Sequence, residues 1–253
     1  MKQSDLFDVR LEENEKMGIA AQIAYYNARW PNFEFGNTLE LERCTGILDR
    51  LCSTGLLHPR ICDFGCGAGW LSAILGLFGP TIGVDLSDAG MRSASERFPH
   101  VQYEAANIFE WAHERNYFDV VVSQEVIEHV EDQAAFVQVA CDLLKPGGYL
   151  ILTTPNASAF NAMPMEARKA WSNQPIENWI DRRQLKDLLR PRFEEIQIST
   201  IITGMGTAGL HRIVNSHKVA MIWGYLGLGG FWRKTTYRLG YGLHLIASAR
   251  KPA

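Results

Sequence analysis

Three side chains that can transfer protons or bind a cation lie close together in residues 123–130, SQEVIEHV. Glu125, Glu128 and His129 are spaced at i, i+3 and i+4, so they share one face if this stretch is helical. The ordinary pKa of histidine suits His129 to general-base catalysis, with Glu128 as the second catalytic candidate. Two carboxylates and an imidazole could instead bind Mg²⁺ or Mn²⁺ and lower the pKa of a hydroxyl substrate. An ordinary core or surface histidine is the remaining alternative.

A glycine-rich turn, DFGCGAG at residues 63–69, has the composition of a nucleotide-binding loop. Gly65 and Gly67 permit tight backbone geometry and place no side chain between main chain and ligand. The start of the next helix offers free N–H groups to a carboxylate. A dinucleotide fingerprint needs glycine where Trp70 stands, and the charge of Asp63 would repel a pyrophosphate but receive an ammonium group. The loop therefore favours an amino-acid-bearing nucleoside over NAD.

Two more polar residues follow predicted strands. Asp85 ends the second strand, where an acid can hydrogen-bond both ribose hydroxyls, although a dehydrogenase would use the same acid. Asn107 follows the third strand and could meet an adenine amino group, with Ile108 packing on the ring. A helix cap is the alternative role for Asn107.

The elements that position these residues alternate between strand and helix. Short buried strands with short connections predict a doubly wound, mostly parallel, seven-stranded α/β sheet of the Rossmann-like type, with an antiparallel edge strand. A ligand binds such a sheet at the carboxyl ends of the strands, near the switch point. The predicted strands are residues 60–64, 81–85, 101–105, 118–123, 149–153, 193–201 and 243–249. The predicted helices within the sheet region end near 78, 98, 144 and 189.

Two helices precede the sheet. Apolar residues at helical spacing predict a helix over 12–29, which Trp30-Pro31 stops. Asn37 or Thr38 can cap a second helix that runs to about residue 51. We therefore expect an N-terminal helical lid over residues 1–55 and the nucleotide-binding domain over residues 56–253.

Taken together, these motifs resemble the class I S-adenosylmethionine-dependent methyltransferases. The matching segments are DFGCGAG, GVDLS at 83–87, FDVV at 118–121 and LKPGG at 144–148, in the family's order and spacing. The resemblance covers about residues 40–155 and implies S-adenosylmethionine as cofactor and S-adenosylhomocysteine as product. One departure is Asn107, where the family more often has Asp. The implied cofactor contacts are Asp63, Gly65, Cys66, Gly67, Asp85, Leu86, Asn107, Ile108, Gln124 and Glu125.

The Glu-x-x-Glu-His stretch is similar to that of two groups within the family. In ubiquinone-pathway O-methyltransferases it is linked to a divalent ion. In small-RNA terminal 2′-O-methyltransferases it joins a further histidine as metal ligands, but residues 171–179, where that histidine is expected, contain none. We therefore expect transfer to a small-molecule hydroxyl, lipid-like or quinone-like, with Mg²⁺ not favoured. The alternatives are a metal-dependent RNA 2′-O-methyltransferase and a cofactor-binding partner subunit without activity.

Charge is distributed unevenly along the chain. The first 195 residues hold 18 basic and 28 acidic residues, a net charge of −10, whereas residues 196–253 hold seven basic residues and no acidic one. The acidic part argues against an RNA substrate, and no DNA partner is expected. A basic C-terminal face would suit an anionic substrate or a lipid headgroup; a scattered solvated surface is the alternative.

An apolar insertion is expected at residues 203–241, between the last two strands. Its stretch 219–234 is rich in apolar and aromatic residues and ends in Arg233-Lys234. It could line a pocket for a lipid-like or quinone-like acceptor, make peripheral contact with a membrane, or form a helix that only covers the sheet edge. Trp30, Phe33 and Phe35 could close the pocket from the other side or pack within the lid.

The compartment is predicted from what the sequence contains. Five cysteines form no CxxC pair, and an odd number suits no disulfide framework. The first residues lack the features of a secretory signal, and no apolar run reaches the ~20 residues that span a bilayer. We expect a cytoplasmic protein, peripheral at the membrane if the insertion contacts lipid.

Overall fold

The computed structural model describes residues 18–34, 36–169, 174–204 and 208–253. Seven strands form a single sheet within these ranges. They are β1 (Ile61–Phe64), β2 (Thr81–Asp85), β3 (Gln102–Ala105), β4 (Phe118–Gln124), β5 (Leu144–Pro155), β6 (Glu194–Thr203) and β7 (Gly242–Arg250).

The strand order is β3-β2-β1-β4-β5-β7-β6. β1 pairs in parallel with both β2 and β4, so Asp63 lies opposite Gly83 on one side and Val122 on the other. β7 pairs antiparallel with β5 and β6, which puts the antiparallel pairing at the end of the sheet where β6 is the edge. The predicted fold class is confirmed. The order reverses between β1 and β4, so the carboxyl ends of these strands form the switch point.

Helices flank the sheet and connect its strands. Of the eleven α-helices in the described ranges, two precede the sheet, six lie between β1 and β6, and three lie between β6 and β7. They are α1 (Ile19–Arg29), α2 (Thr38–Ser53), α3 (Trp70–Leu75), α4 (Asp88–Arg97), α5 (Gln133–Leu143), α6 (Ala157–Asn161), α7 (Met165–Lys169), α8 (Arg182–Leu189), α9 (Gly209–Val214), α10 (His217–Tyr225) and α11 (Gly229–Leu239).

The core forms on both faces of the sheet because strand side chains alternate between them. Val121 packs on one face with Phe136 of α5, while Val120 and Val122 pack on the other with Leu75 of α3. All three valines are fully buried. The unbroken valine run therefore belongs to a strand that is covered on both faces, as the sequence predicted.

Capping residues fix where several helices begin. Asn37 accepts the N–H of Glu40 at 3.0 Å, and the Glu40 carboxylate accepts the N–H of Asn37, a capping box that starts α2. Asp181 forms a second capping box with Gln184 at the start of α8, and Asp132 caps α5 by accepting the N–H of Ala135. The predicted starts of these helices are confirmed. The first predicted helix ends at Arg29 as expected, while its residues 12–17 lie outside the described residues.

Two regions differ from the sequence reading. Residues 123–130 are not one helix, because Glu125 adopts a left-handed φ of 56° and only a 3₁₀ turn follows, at Ile127–His129. The insertion, predicted to be an apolar Gly-rich segment or a helix that covers the sheet edge, contains the three helices α9 to α11. In the described parts of the chain, no helix combines the length and apolar character that a membrane crossing requires.

Candidate active site

A cavity of about 750 Å³ lies at the carboxyl ends of the strands, where α1 and α2 also contribute to its wall. Its size suits a small-molecule site. The twelve residues that the sequence singled out all line it. They are Asp63, Gly65, Cys66, Gly67, Asp85, Leu86, Asn107, Ile108, Gln124, Glu125, Glu128 and His129.

The glycine turn forms one wall of this cavity. Gly65 and Cys66 donate their N–H groups to the carbonyl of Val84 at 2.8 and 3.0 Å, which fixes the turn against β2. Gly65 has a left-handed φ of +86°, and a Cβ there would lie 2.5 Å from Val126. Gly67 has φ +56°, and a Cβ there would lie 3.2 Å from the Trp30 indole. Glycine is therefore required by conformation and by space.

Gly65→Ala will destabilise the protein more than an alanine at a glycine of similar φ in open space. Gly55 is the matched control, because its φ is +71° and nothing lies within 4 Å of an added Cβ. The left-handed conformation costs about 1–2 kcal/mol at either position. The contact with Val126 adds about 1–3 kcal/mol at Gly65 alone. Urea denaturation measures the two free energies of unfolding, and equal losses would contradict the steric reading.

Two buried acidic residues, Asp85 and Asp63, lie beside the glycine turn. Asp85 accepts the N–H of Gly67 at 2.9 Å and that of Ser87 at 3.0 Å. Burial raises the pKa of Asp85, and these N–H donors oppose the rise. Asp63 accepts the hydroxyl of Ser72 at 2.6 Å, and burial together with the charge of Asp85 raises its pKa to about 7. Asp85 thus joins the turn to β2, at the position where a ribose could be held.

Asn107 follows β3 on another side of the cavity. Its Oδ1 accepts the N–H of Phe109 at 3.1 Å, and its carbonyl accepts the N–H of Glu110. The residue therefore caps a turn and not a helix. Leu86 and Ile108 line the cavity beside it. These groups could enclose the base of a nucleoside.

Gln124 is the last residue of β4, and Glu125 follows it. The Gln124 Oε1 atom is buried and has no hydrogen-bond partner among the described residues. The Glu125 carboxylate lies 2.7 Å from Nδ1 of His244 on β7 and 3.5 Å from Nη1 of Arg43 on α2. Burial raises the pKa of Glu125, but the charges of His244 and Arg43 outweigh it and hold that pKa below its usual value. Helix α2 and the last strand, β7, therefore meet at this carboxylate.

Glu125→Gln will lower the free energy of unfolding by about 3 kcal/mol, because it leaves a buried cation without its counter-charge. Glu195→Gln is the matched control. Glu195 has a similar left-handed φ of 50° and pairs with Arg250 at 3.0 Å, but its side chain is 55% exposed. An exposed pair of this kind contributes about 0–1 kcal/mol. Thermal and urea unfolding measure the stability of the two variants. Equal losses of unfolding free energy would contradict a stabilising role for the contacts of Glu125 with His244 and Arg43.

Glu128 and His129 are part of the 3₁₀ turn. Nδ1 of His129 lies 2.7 Å from the carbonyl of Ile176, which can only accept, so Nδ1 carries the proton and Nε2 holds the lone pair. Burial lowers the pKa of His129, which favours the neutral imidazole. Burial and then the charge of Glu125 raise the pKa of Glu128 well above its usual value. Glu128 also accepts the Thr154 hydroxyl at 2.9 Å.

A hydrogen-bonded chain joins His129 to the first helix. The Gln174 amide donates to Nε2 of His129 at 2.8 Å, and the Gln174 carbonyl accepts the hydroxyl of Tyr26 on α1 at 3.2 Å. The Tyr26 ring stacks on the Trp30 indole with centroids 5.7 Å apart. The cavity is therefore lined by aromatic rings where α1 meets the segment before α8.

Sequence reasoning missed several residues of this site. Arg43, Tyr26 and Gln174 carry no local signal, because their partners are remote in sequence. His244 had one, since it is a lone polar residue in the otherwise apolar run of β7. Glu177 also lines the cavity; burial raises its pKa to about 7, against the hydrogen bond that Trp179 donates.

The three proposed metal ligands do not form one cluster, although Glu128 Oε1 lies 3.6 Å from Nε2 of His129. Glu125 is turned towards Arg43 and His244, while Glu128 faces Thr154. No group of three or more His, Cys, Asp or Glu within the described residues is arranged to hold a metal ion. The helical face that would have placed the three residues side by side does not form.

Comparisons with known proteins point to one family. A family model described as a methyltransferase domain matches residues 35–192. A ubiquinone biosynthesis O-methyltransferase of Rhizobium leguminosarum is 30% identical over 179 residues, which are 64% of this chain and 69% of that protein. The human mitochondrial ubiquinone biosynthesis O-methyltransferase is 39% identical over 110 residues, 40% of this chain and 30% of that protein. This chain spans less than two thirds of the length of the human protein and of six further ubiquinone biosynthesis O-methyltransferases that it matches.

The fold is shared with a solved methyltransferase. The N-methyltransferase NodS of Bradyrhizobium japonicum, solved with S-adenosylhomocysteine, superposes with a TM-score of 0.62 at 16% identity, over 92% of this chain and 100% of that one. The family match, the similarity to the rhizobial O-methyltransferase and the glycine turn at the switch point all indicate a methyltransferase domain. The chain therefore belongs to the methyltransferase-domain family.

Proposed function

We propose that the enzyme transfers the methyl group of S-adenosylmethionine to a hydroxyl oxygen of a small, aromatic, quinone-like acceptor. The relatives named as ubiquinone biosynthesis O-methyltransferases support this acceptor class. The observation that carries the proposal is the neutral imidazole of His129, whose Nε2 lone pair lies in the cavity wall. A hydroxyl acceptor must lose its proton during methyl transfer, and this lone pair can take it.

The residues around the glycine turn fit the methyl donor. A Cβ at Gly65 or Gly67 would fill the space beside the turn, and the buried Oε1 of Gln124 has no partner among the described residues. Asp85 would hold the ribose hydroxyls, and Asn107 with Ile108 would contact adenine. When bound, the cofactor supplies an electrophilic methyl group. The protein's own contribution is alignment, exclusion of water and acceptance of the proton.

Aromatic side chains would hold the acceptor ring. Tyr26 and Trp30 line the cavity from the α1 side, and Phe160 and Trp179, with ring centroids 4.6 Å apart, line it from the other. Aromatic walls favour a planar, apolar molecule. In this proposal residues 1–55 act as the lid over the catalytic domain 56–253. Phe35, proposed with Trp30 to close the pocket, lies outside the described residues.

Glu128 would support His129 and not replace it as the base. Its Oε1 lies 3.6 Å from Nε2 of His129, and its raised pKa favours the protonated, uncharged form. An uncharged acid beside the imidazole leaves the imidazole as the stronger proton acceptor. In the proposed mechanism the proton of the acceptor hydroxyl therefore moves to His129 while the hydroxyl oxygen takes the methyl group.

The proposal places the enzyme in the cytoplasm. All five cysteines are free, and four of them are buried. Reduced thiols suit a compartment in which thioredoxin and glutathione operate.

A transfer assay with methyl-labelled S-adenosylmethionine tests the function. A prenylated dihydroxybenzene is the acceptor, and the same ring with its hydroxyls already methylated is the matched control. We expect label in an aryl methyl ether, with one S-adenosylhomocysteine formed per methyl group, and none with the control. Transfer to an amine such as phosphoethanolamine, or to a short RNA, without transfer to the phenol would contradict the proposal.

A further inference from the structure

The hairpin of α10 and α11 exposes its apolar side chains. α10 contains no buried residue, and α11 buries only Thr236. Tyr225 is 88% exposed, and Leu226 and Phe231 are each 64% exposed. Several large apolar side chains exposed on one hairpin are typical of a binding site for a partner or a membrane. Its exposed apolar residues, the hairpin tip, are Met221, Ile222, Tyr225, Leu226, Leu228 and Phe231.

The hairpin is an ordered unit. The indoles of Trp223 and Trp232 stack with centroids 5.0 Å apart and planes 10° apart, which joins α10 to α11. The Thr200 hydroxyl donates to the carbonyl of Tyr237, and the Arg182 guanidinium donates to that of Arg238, each at 2.8 Å. These bonds attach the end of α11 to β6 and α8. The tip is thus held away from the sheet by its own packing.

Basic residues surround the tip and acidic residues are absent. Lys218 starts α10, Arg233 and Lys234 follow Phe231, and no Asp or Glu occurs in residues 196–253. At 1.5 Å per helical residue, Lys218 lies about 10 Å along the axis from Tyr225. Basic residues therefore flank the apolar tip on both helices, as in interfacial segments whose apolar side chains enter the bilayer while Lys and Arg stay at the headgroups.

We propose that the hairpin tip inserts into the surface of an anionic lipid bilayer, with Lys218, Arg233 and Lys234 against the headgroups. The charges favour this occupant over a second copy of the chain. Two copies meeting tip to tip would bring their basic residues together, which is repulsive. Anionic headgroups offer the complementary charge at the required depth.

The base of the hairpin lies at the edge of the catalytic cavity. Asn156 donates from its side chain to the carbonyls of Gly240 and Gly242 at 3.1 and 2.9 Å, directly after Pro155, which lines the cavity. A membrane-dissolved acceptor would therefore be delivered next to the site. This link rests on the proposed function, whereas bilayer binding does not.

Sedimentation with lipid vesicles tests the proposal on the full chain. We expect binding to vesicles of equal parts phosphatidylcholine and phosphatidylglycerol, which high salt reverses, and little binding to phosphatidylcholine alone. A variant with Tyr225→Gln, Leu226→Gln and Phe231→Gln should bind about tenfold more weakly or worse, as should Arg233→Gln with Lys234→Gln. Both variants should keep the wild-type melting temperature, because these side chains are exposed.

Matched controls remove the same chemistry elsewhere. Leu57→Gln with Leu77→Gln removes leucines that are 91% and 77% exposed, and Arg115→Gln with Arg183→Gln removes two exposed arginines. We expect both controls to bind vesicles like the wild type. Failure of the wild type to sediment with anionic vesicles, or equal binding by the tip variant, would overturn the proposal. So would sedimentation equilibrium that shows a dimer which only the tip variant loses. Vesicle binding requires no turnover, so its outcome is independent of the methyl-transfer assay.

Discussion

Asp85→Asn will weaken binding of S-adenosylhomocysteine by about 100-fold or more, because charged hydrogen bonds of about 1.5–3 kcal/mol each are lost. The carboxylate accepts N–H groups from Gly67 and Ser87, one on each oxygen, and is 8% exposed to the cavity. An asparagine amide has one acceptor oxygen, so its NH₂ group would face one of these donors. The variant therefore loses the ribose partner and also loosens the turn. Isothermal titration calorimetry measures the affinity.

Asp88→Asn is the control for this experiment. Asp88 begins α4 three residues later, but its side chain is exposed and pairs with Arg92. We expect its affinity to remain within a factor of about two of wild type, since exposed pairs contribute little. Far-UV circular dichroism and the melting temperature show whether Asp85→Asn is folded. A folded Asp85→Asn protein with wild-type affinity would refute the ribose role.

The sheet was predictable because its signals are local. The valine run at Val120–Val122, the glycine turn and the caps Asn37, Asp132 and Asp181 each identify an element from a few neighbouring residues. Period and capping chemistry do not depend on the rest of the fold. The same signals predicted that the candidate cofactor residues lie around one site, because the carboxyl ends of parallel strands meet at one edge of the sheet.

The geometry after β4 was not predictable from spacing. The i, i+3, i+4 pattern of Glu125, Glu128 and His129 assumes helical backbone, but the N–H of Glu125 instead bonds the carbonyl of Thr153 in β5 at 3.0 Å. That bond continues the strand pairing and leaves Glu125 in the left-handed region. Its partner Arg43 is 82 residues away in sequence. Tertiary packing therefore overrides the local pattern and pairs Glu125 with Arg43 and His244.

The insertion shows a different failure. The sequence allowed a helix over the sheet edge, but the glycines at 224, 227, 229 and 230 hid where the helices begin and end, because glycine is a poor helix former. α10 and α11 nevertheless form around these positions and are joined by the stack of Trp223 on Trp232. Composition could indicate an interfacial segment, but it could not indicate a hairpin whose apolar tip and basic residues have a defined separation.

His129→Asn will lower kcat by about 10²–10⁴-fold, the usual contribution of a general base. Asparagine places its NH₂ group near the position of Nδ1, so it can still donate to the carbonyl of Ile176 and keep the turn in place. It offers no proton acceptor where Nε2 stands. We expect unchanged affinity for S-adenosylhomocysteine, since no cofactor contact is removed. This split between kcat and cofactor binding distinguishes a base from a residue that only supports the fold.

The pH profile gives a second readout for the same residue. Burial lowers the pKa of His129 from its ordinary value of 6.5, so the imidazole becomes neutral, and able to accept a proton, as the pH rises through a value below 6.5. The wild-type kcat should therefore rise with pH over that range and level off above it, and His129→Asn should lose this rise.

Gln174→Ala is the companion variant for His129. It removes the amide that donates to Nε2 but leaves the imidazole and its bond to Ile176 in place. In the proposed mechanism the acceptor hydroxyl takes the place of that amide. Gln174→Ala should therefore retain kcat within about tenfold of wild type and keep the low-pH limb, because the proton acceptor is unchanged. If Gln174→Ala lost as much kcat as His129→Asn, or if His129→Asn kept both its rate and its pH profile, the proton would have to leave through another group. Glu128 would then be the group to test next, since its carboxyl lies 3.6 Å from the same nitrogen.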